Sequence, residues 1–501
     1  MLLRRMIGLV LVCALCVCCG AWAEEAAGPS YRMAGLDTTQ YRSWESNEFY
    51  KRMEEKTGVH FTFTQYQKQE DWTSAKAQMT KDSADLPDVL FKAALTGTEM
   101  IEMREKGVLI DLKPLLEENC PNLWAILQAH PDFLKALTLP DGSVAALPAI
   151  YLPSVQNYMW INTDWLSTLH LDMPATAQEL VDVLTAFKNK DPNRNGRSDE
   201  IPLGFEGPFE LKFLAHAFGL VANDYNIFAQ DGQVKFMPLE ENYRLFVMWL
   251  RDLYEDGLID KNGFSYMERT VTDAKATPTY GVILAPQVSA IFKVAWAEKY
   301  EIMMPLTYEG KQVYRDFSGP LLRGTFAITS ACKEPEKLLK WVDFFYTEEG
   351  AILSGIGREN EDYLVDGDGT WRFLDSVQKN YDLFRAGTLI DGGSDLPGIL
   401  AREFEYKMSG STMVRSILEG QDRFSQYTVM PFPYCTLTAQ ELEKLLPLQA
   451  KLGSYVDMQL ARWVLGEEEI SDETFAEFER QLNAMGLPEF LAVWQDVLNR
   501  L

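Results

Sequence analysis

Residues 191–200 read DPNRNGRSDE. Side-chain oxygens stand at alternate positions, on Asp191, Asn193 and Asn195, and then on the adjacent pair Asp199 and Glu200. Calcium takes about six to eight oxygens from a loop that can curl around it. With Asp191 in the first position, Gly196 falls at the sixth, where such loops turn sharply. Arg197 at the seventh offers its backbone carbonyl, Asp199 sits at the ninth and Glu200 at the tenth. The twelfth position departs from an EF-hand loop, because Pro202 stands where a bidentate Glu belongs. A polar turn held by Asx hydrogen bonds uses the same residue types, so spacing alone leaves both readings open. One loop with no second to pair with fits a structural ion, not a sensor. Asp366-Gly367-Asp368-Gly369 reads as a hairpin turn.

No catalytic motif accompanies this loop. His60, His130, His170 and His216 are isolated, and there is no H-E-x-x-H, P-loop or G-x-G-x-x-G. Of the seven cysteines, Cys13, Cys16, Cys18 and Cys19 lie in the N-terminal segment. Cys120, Cys332 and Cys435 are scattered and allow at most one internal disulfide.

The elements around the loop are set by local pattern. In PATAQELVDVLTAFKNK, Thr176 and Glu179 form a capping box, and Leu180, Val183, Leu184 and Phe187 make one apolar stripe. Pro192 disfavours helical geometry at Asp191, so the loop begins at a helix end, and IPLGF is the strand after it. Upstream, Ser46 caps a predicted helix bearing Phe49 and Met53, Gly58 stops it, and Val59, Phe61 and Phe63 alternate as a half-buried strand. PDVLF reads as a buried parallel strand, and DGSVAALPAIY as a turn feeding another. Leu338, Leu339, Val342, Phe345 and Tyr346 share one helical face, and Thr438 with Glu441 opens a helix in the helical C-terminal third. Helices and strands alternate with short connections, which predicts an α/β class.

The chain has 501 residues, 47% of them apolar, enough for a large core shared among lobes. Its net charge of −26 argues against nucleic acid and anionic lipid surfaces as partners. Arg4 and Arg5, the apolar run Met6 to Cys19 and the small-residue site Ala21-Trp22-Ala23 read as a secretory signal peptide over residues 1–23. Lipid attachment at Cys18 or Cys19 is the alternative, although neither follows a small apolar residue. Both readings place the protein outside the cytoplasm, extracellular or attached to the cell envelope, with no mature transmembrane helix.

The segments EEKTGVHFTF, LPDVLF, KGVLIDLKPLL, DGSVAALP, WINTDWL…PATAQEL…DPNRNGRSDEIP and FAITSACKEPEKLLKWVDFFYTEEG occur in this order. Their order resembles the extracellular solute-binding proteins, family 1, of bacterial ABC importers, in the branch with alginate-binding and lipoprotein-type oligosaccharide receptors. The resemblance implies a two-lobed periplasmic-binding-protein-like fold (type II), with a ligand cleft between lobes and a helical C-terminal region. It implies a structural Ca2+ on Asp191, Asn193, Asn195, Arg197, Asp199 and Glu200. The expected N-terminal lobe comprises residues 31–153 and 300–333, and the C-terminal lobe 154–299 and 334–501. The first crossing is expected near Tyr151 to Tyr158.

The implied function is a monomeric receptor that passes a small solute, an oligosaccharide above all, to ABC permease subunits. Sugar clefts combine aromatic faces with planar polar groups, although most aromatics serve cores. Tyr151, Trp160 and Trp296 are the aromatic candidates, being near the expected crossings or in segments without periodicity. Gln287 follows a strand end, and Arg323 offers a charged fork. Trp341, Trp463 and Trp494 fall in helical patterns and are assigned to the core. A secreted carbohydrate-active enzyme with two carboxylates is the competing function. A calcium-dependent cohesion module has little support from one unpaired loop.

Overall fold

The computed structural model describes residues 30–150, 157–205, 207–264, 279–286, 288, 297–316, 321–390, 396–399, 406–407 and 412–501. Ten strands build its two larger sheets. They are β1 (Ser30–Leu36), β2 (His60–Tyr66), β3 (Val89–Phe91), β4 (Leu147–Ile150), β5 (Tyr158–Asn162), β6 (Ile201–Gly204), β7 (Tyr280–Ala285), β8 (Tyr300–Ile302), β9 (Leu321–Ile328) and β10 (Gly398–Ile399). The first sheet has the order β10-β4-β9-β3-β1-β2 and the second β8-β5-β7-β6.

Strand direction decides which edges meet. In the first sheet β1 is parallel to β2 and β3, and β9 is antiparallel to both β3 and β4. Strands β1, β3 and β4 therefore all end on the edge from which the chain leaves after Ile150. In the second sheet β7 is antiparallel to β5 and parallel to β6. The carboxyl ends of β6 and β7 thus lie on the edge where β5 enters. Within each sheet several strand carboxyl ends thus share one edge, the kind of edge at which open α/β sheets bind ligands.

Local sequence explains the elements. The helix Glu48–Thr57 starts at Asn47, whose side chain accepts the Phe49 N–H, and ends at Gly58 with φ 68. The cap is one residue later than the expected Ser46. Thr176 and Glu179 form the expected box on the helix Ala177–Asn189, and Thr438 and Glu441 the one on Ala439–Leu465. Asp366 to Gly369 turn a hairpin between the short strands Tyr363–Val365 and Trp371–Phe373. Trp463 and Trp494 are buried with Leu180, Val183, Leu184 and Phe187 in the second lobe's core.

The lobes divide the chain differently from the expected borders. β8 pairs with β5, and Tyr314 is buried with Tyr158, Trp160 and Phe424, so residues 300–316 pack in the second lobe. Leu338, Leu339, Trp341, Val342 and Phe345 pack with Met33, Phe91 and Phe326 of the first lobe, and β10 pairs with β4. Residues 335–346 and 398–399 therefore belong to the first lobe. An apolar stripe announces a buried face but not the sheet it covers. Among the described residues no helix is long and apolar enough to cross a membrane.

Candidate functional site

The segment after β6 builds part of the carboxyl edge of the second sheet. Gly207 leads into the short helix Pro208–Leu211, and Phe209 remains 51% exposed although it is a large aromatic. A concavity of about 220 Å³ opens beside it, walled in part by Lys212, Phe213, Asn223, Asp224 and Arg315. The Arg315 guanidinium lies 4.7 Å from the Phe213 ring centroid and pairs with Asp224 at 2.8 Å. Lys212 pairs with Asp457 at 2.7 Å. An open aromatic face beside forked polar groups is the chemistry that recognises a hydroxylated ring. Beneath it, buried Asn157 donates to Glu210 at 3.0 Å and accepts the Tyr314 hydroxyl at its carbonyl, 2.5 Å away.

The carboxyl edge of the first sheet is held by buried charge. Asp37 follows β1 and Lys92 follows β3, and Lys92 Nζ lies 3.1 Å from the Asp37 carboxylate. Arg42 Nη1 and the Trp44 indole N–H approach the same oxygen at 3.3 and 3.1 Å. Burial alone would raise this carboxyl, but Lys92 and Arg42 hold it below the ordinary range. Arg42 Nη2 and Lys92 Nζ also reach the carbonyls of Arg385 and Ile390 at 3.1 and 3.4 Å. The cluster thereby ties a distant segment to this edge.

The expected ligand residues fare unequally. Tyr151, Gln287 and Trp296 lie outside the described residues. Trp160 has no exposed surface; its indole N–H donates to the Ala285 carbonyl at 2.8 Å. β5 is covered on both faces, so neither side of it offers a ring to solvent. Arg323 Nη1 is directed at the oxygens of Ala136, Cys435 and Thr436. Phe209, Asp224 and Arg315 were not singled out by sequence. The available signal was that GPFELKF follows the strand IPLG at its carboxyl end.

The loop 191–200 sits between the helix Ala177–Asn189 and β6, away from the concavity in sequence and held by Asx turns. Asp191 accepts the N–H groups of Asn195 and Gly196, each at 3.0 Å, and Asn195 Oδ1 accepts that of Arg197 at 2.7 Å. Asp191, Arg194 and Gly196 take positive φ of 46, 55 and 72°. The Asn195 amide reaches both Asp199 oxygens, at 2.9 and 3.2 Å. Glu200 Oε1 is buried with no hydrogen-bond partner. Burial first, then the charges of Asp199 and Asp191, pushes the Glu200 carboxyl above its ordinary range. Asp191 and Asp199 thus add negative charge beside Glu200, whose orphaned oxygen is the one polar atom of the loop left open to a cation. Among the described residues no three His, Cys, Asp or Glu side chains are gathered closely enough to hold a metal.

A family model described as bacterial extracellular solute-binding protein matches residues 48–353. The fructooligosaccharide ABC transporter substrate-binding protein FusA of Streptococcus pneumoniae is 28% identical, over 96% of this chain and 95% of its own. A solved structure of S. pneumoniae FusA with kestose matches at a TM-score of 0.65 and 26% identity, over 94% of this chain and 99% of that one. A FusA variant described as an EF-hand mutant matches at 0.64, with the same identity and coverage. A milk-oligosaccharide-binding protein of Bifidobacterium longum infantis shares the fold, at a TM-score of 0.75 and 20% identity over 94% of this chain and 99% of that one. These relatives bind solutes, so the competing reading as a secreted enzyme is set aside. With its two-sheet α/β architecture and the match over more than half its length, this chain belongs to the bacterial extracellular solute-binding proteins.

Proposed function

We propose that the protein is an oligosaccharide receptor, which binds a short neutral sugar between its lobes and delivers it to a membrane permease. The observation that carries this reading is the exposed ring of Phe209 beside the Arg315–Asp224 and Lys212–Asp457 pairs, on the carboxyl edge of the second sheet. The aromatic face packs on the C–H side of a sugar, while the paired charges offer donors and acceptors to its hydroxyls. FusA, named for fructooligosaccharides, supports that ligand class. Calorimetric titration with kestose and a panel of neutral oligosaccharides tests it. Saturable binding with the sugar recovered unchanged is expected; turnover of the sugar, or no binding across the panel, overturns it.

The loop 191–200 is proposed as a calcium site that stabilises the second lobe. Asp191, Asn193, Asn195, Asp199 and Glu200 would hold the ion with side-chain oxygens and Arg197 with its carbonyl. The ion would supply positive charge to offset the three carboxylates. Residues 1–23 are proposed as the leader, leaving a protein that starts at Glu24. Intact-mass measurement of the exported protein checks this, and a lipid-modified Cys18 or Cys19 would replace it with an anchored form.

A further inference from the structure

The segment 432–437 straddles the lobes. Phe432, Cys435 and Leu437 pack in the second lobe's core, whereas Tyr434 packs against the first. Thr436 is 3% exposed between them. On the first-lobe side, Arg323 projects from a bulge of β9 between Leu322 and Phe326. Its Nη1 lies 3.2 Å from the Ala136 carbonyl of its own lobe, 3.1 Å from the Cys435 carbonyl and 2.7 Å from Thr436 Oγ1. Two glycines permit the close approach. A Cβ on Gly97 would lie 2.8 Å from Thr436 Cγ2, and one on Gly324, at φ +78, 2.2 Å from the Leu95 carbonyl oxygen.

On the second-lobe side the same residue is held from behind. Arg500 Nη2 donates to the Thr436 carbonyl at 2.8 Å and pairs with Glu441 at 2.9 Å. Glu441 also closes the capping box of the helix Ala439–Leu465, accepting the Thr438 N–H at 2.7 Å. The longest helix of the second lobe is thus joined, through its cap and Thr436, to an arginine of the first lobe's sheet. Hinge motion is absorbed by a few loop or element-terminal residues between the lobes, and these need anchors on both sides for the lobes to turn about them.

We infer that residues 434–436 are the pivot of lobe motion and that Arg323 is the positioning residue that fixes them to the first lobe. The guanidinium holds the backbone of one lobe to a sheet of the other, so the angle between lobes is set there, whatever solute is bound. The inference rests on the two-lobed architecture alone and stands or falls independently of the sugar.

Small-angle scattering of the ligand-free protein tests it. R323M keeps an unbranched apolar stem and removes the guanidinium donors, and is expected to raise the radius of gyration at unchanged far-UV circular dichroism. T436V, which removes the hydroxyl acceptor alone, should raise it by less, and R323K least, because an ammonium still reaches one oxygen. T436V carries the test should R323M fail to fold. An unchanged radius in R323M and T436V overturns the inference. So does an increase that appears only with lost secondary structure, since Arg323 would then be a local stabiliser.

Discussion

Two residues carry sharp expectations. Asp191 accepts two backbone N–H groups and supplies one of the three carboxylates of its loop. With calcium at about 100 times its dissociation constant, binding contributes ~2.7 kcal/mol to the folded state, a rise of a few degrees in melting temperature. Chelation should reverse that rise in the wild type, whereas Asp191→Ala should melt at one temperature with or without chelator. Calorimetry in both conditions checks this; a wild type indifferent to calcium returns the loop to a plain polar turn. Phe209 is the second case. Its ring is exposed and outside the core, so Phe209→Ala should leave the melting temperature nearly unchanged. It should weaken kestose binding about tenfold, or ~1.4 kcal/mol. Titration of both proteins measures the ratio, and equal affinities would remove the ring from the site.

At the scale of elements, His216 staples one segment to another. It lies in the 3-10 helix Lys212–Phe218 and is buried. Nδ1 is 2.7 Å from the Phe213 carbonyl, which can only accept, and Nε2 is 3.0 Å from the Leu306 N–H, which can only donate. The ring must therefore be neutral with its proton on Nδ1. Burial lowers its pKa from 6.5 to about 4. The unfolded chain takes up this proton first, so the staple's full contribution is present above pH 6.5. It is lost as the pH falls from 6.5 towards 4, and by about pH 4 the loss approaches ~3 kcal/mol. Denaturant unfolding at pH 7.5, 6.0 and 5.0 should show this decline in the wild type and a flatter one in His216→Leu. Equal slopes would mean that the ring is not the titrating group. Helix ends show a similar reach between elements: Asp343 accepts the Asn122 and Leu123 N–H groups of the helix Pro121–Ala129, which has no side-chain cap of its own.

At the scale of the molecule, a solute gripped by both lobes must draw them together. Kestose at saturation should lower the radius of gyration measured by small-angle scattering, with no change in secondary structure. Phe209→Ala should need about tenfold more sugar for the same compaction, since it removes affinity and not the hinge. An unchanged radius at confirmed saturation would place the sugar on one lobe alone.

What the sequence by itself determined is what short-range chemistry controls. Thr176 with Glu179, Thr438 with Glu441, Gly58 and the Asp-Gly turn act within a few residues of themselves, and their helices and hairpin end where local pattern requires. The apolar stripe from Leu338 to Tyr346 likewise announced a buried helix face. The order of segments across the chain was enough to identify the family. Tertiary structure alone decided which sheet that stripe covers, because either core would accept the same side chains. It also decided that Trp160 fills a core while Phe209 stays open, since exposure depends on strands and helices far away in the chain. Arg323 meets Cys435 and Thr436 across more than a hundred residues. No local periodicity encodes such a contact; it forms only when two folded lobes bring a sheet bulge and the segment before a helix together.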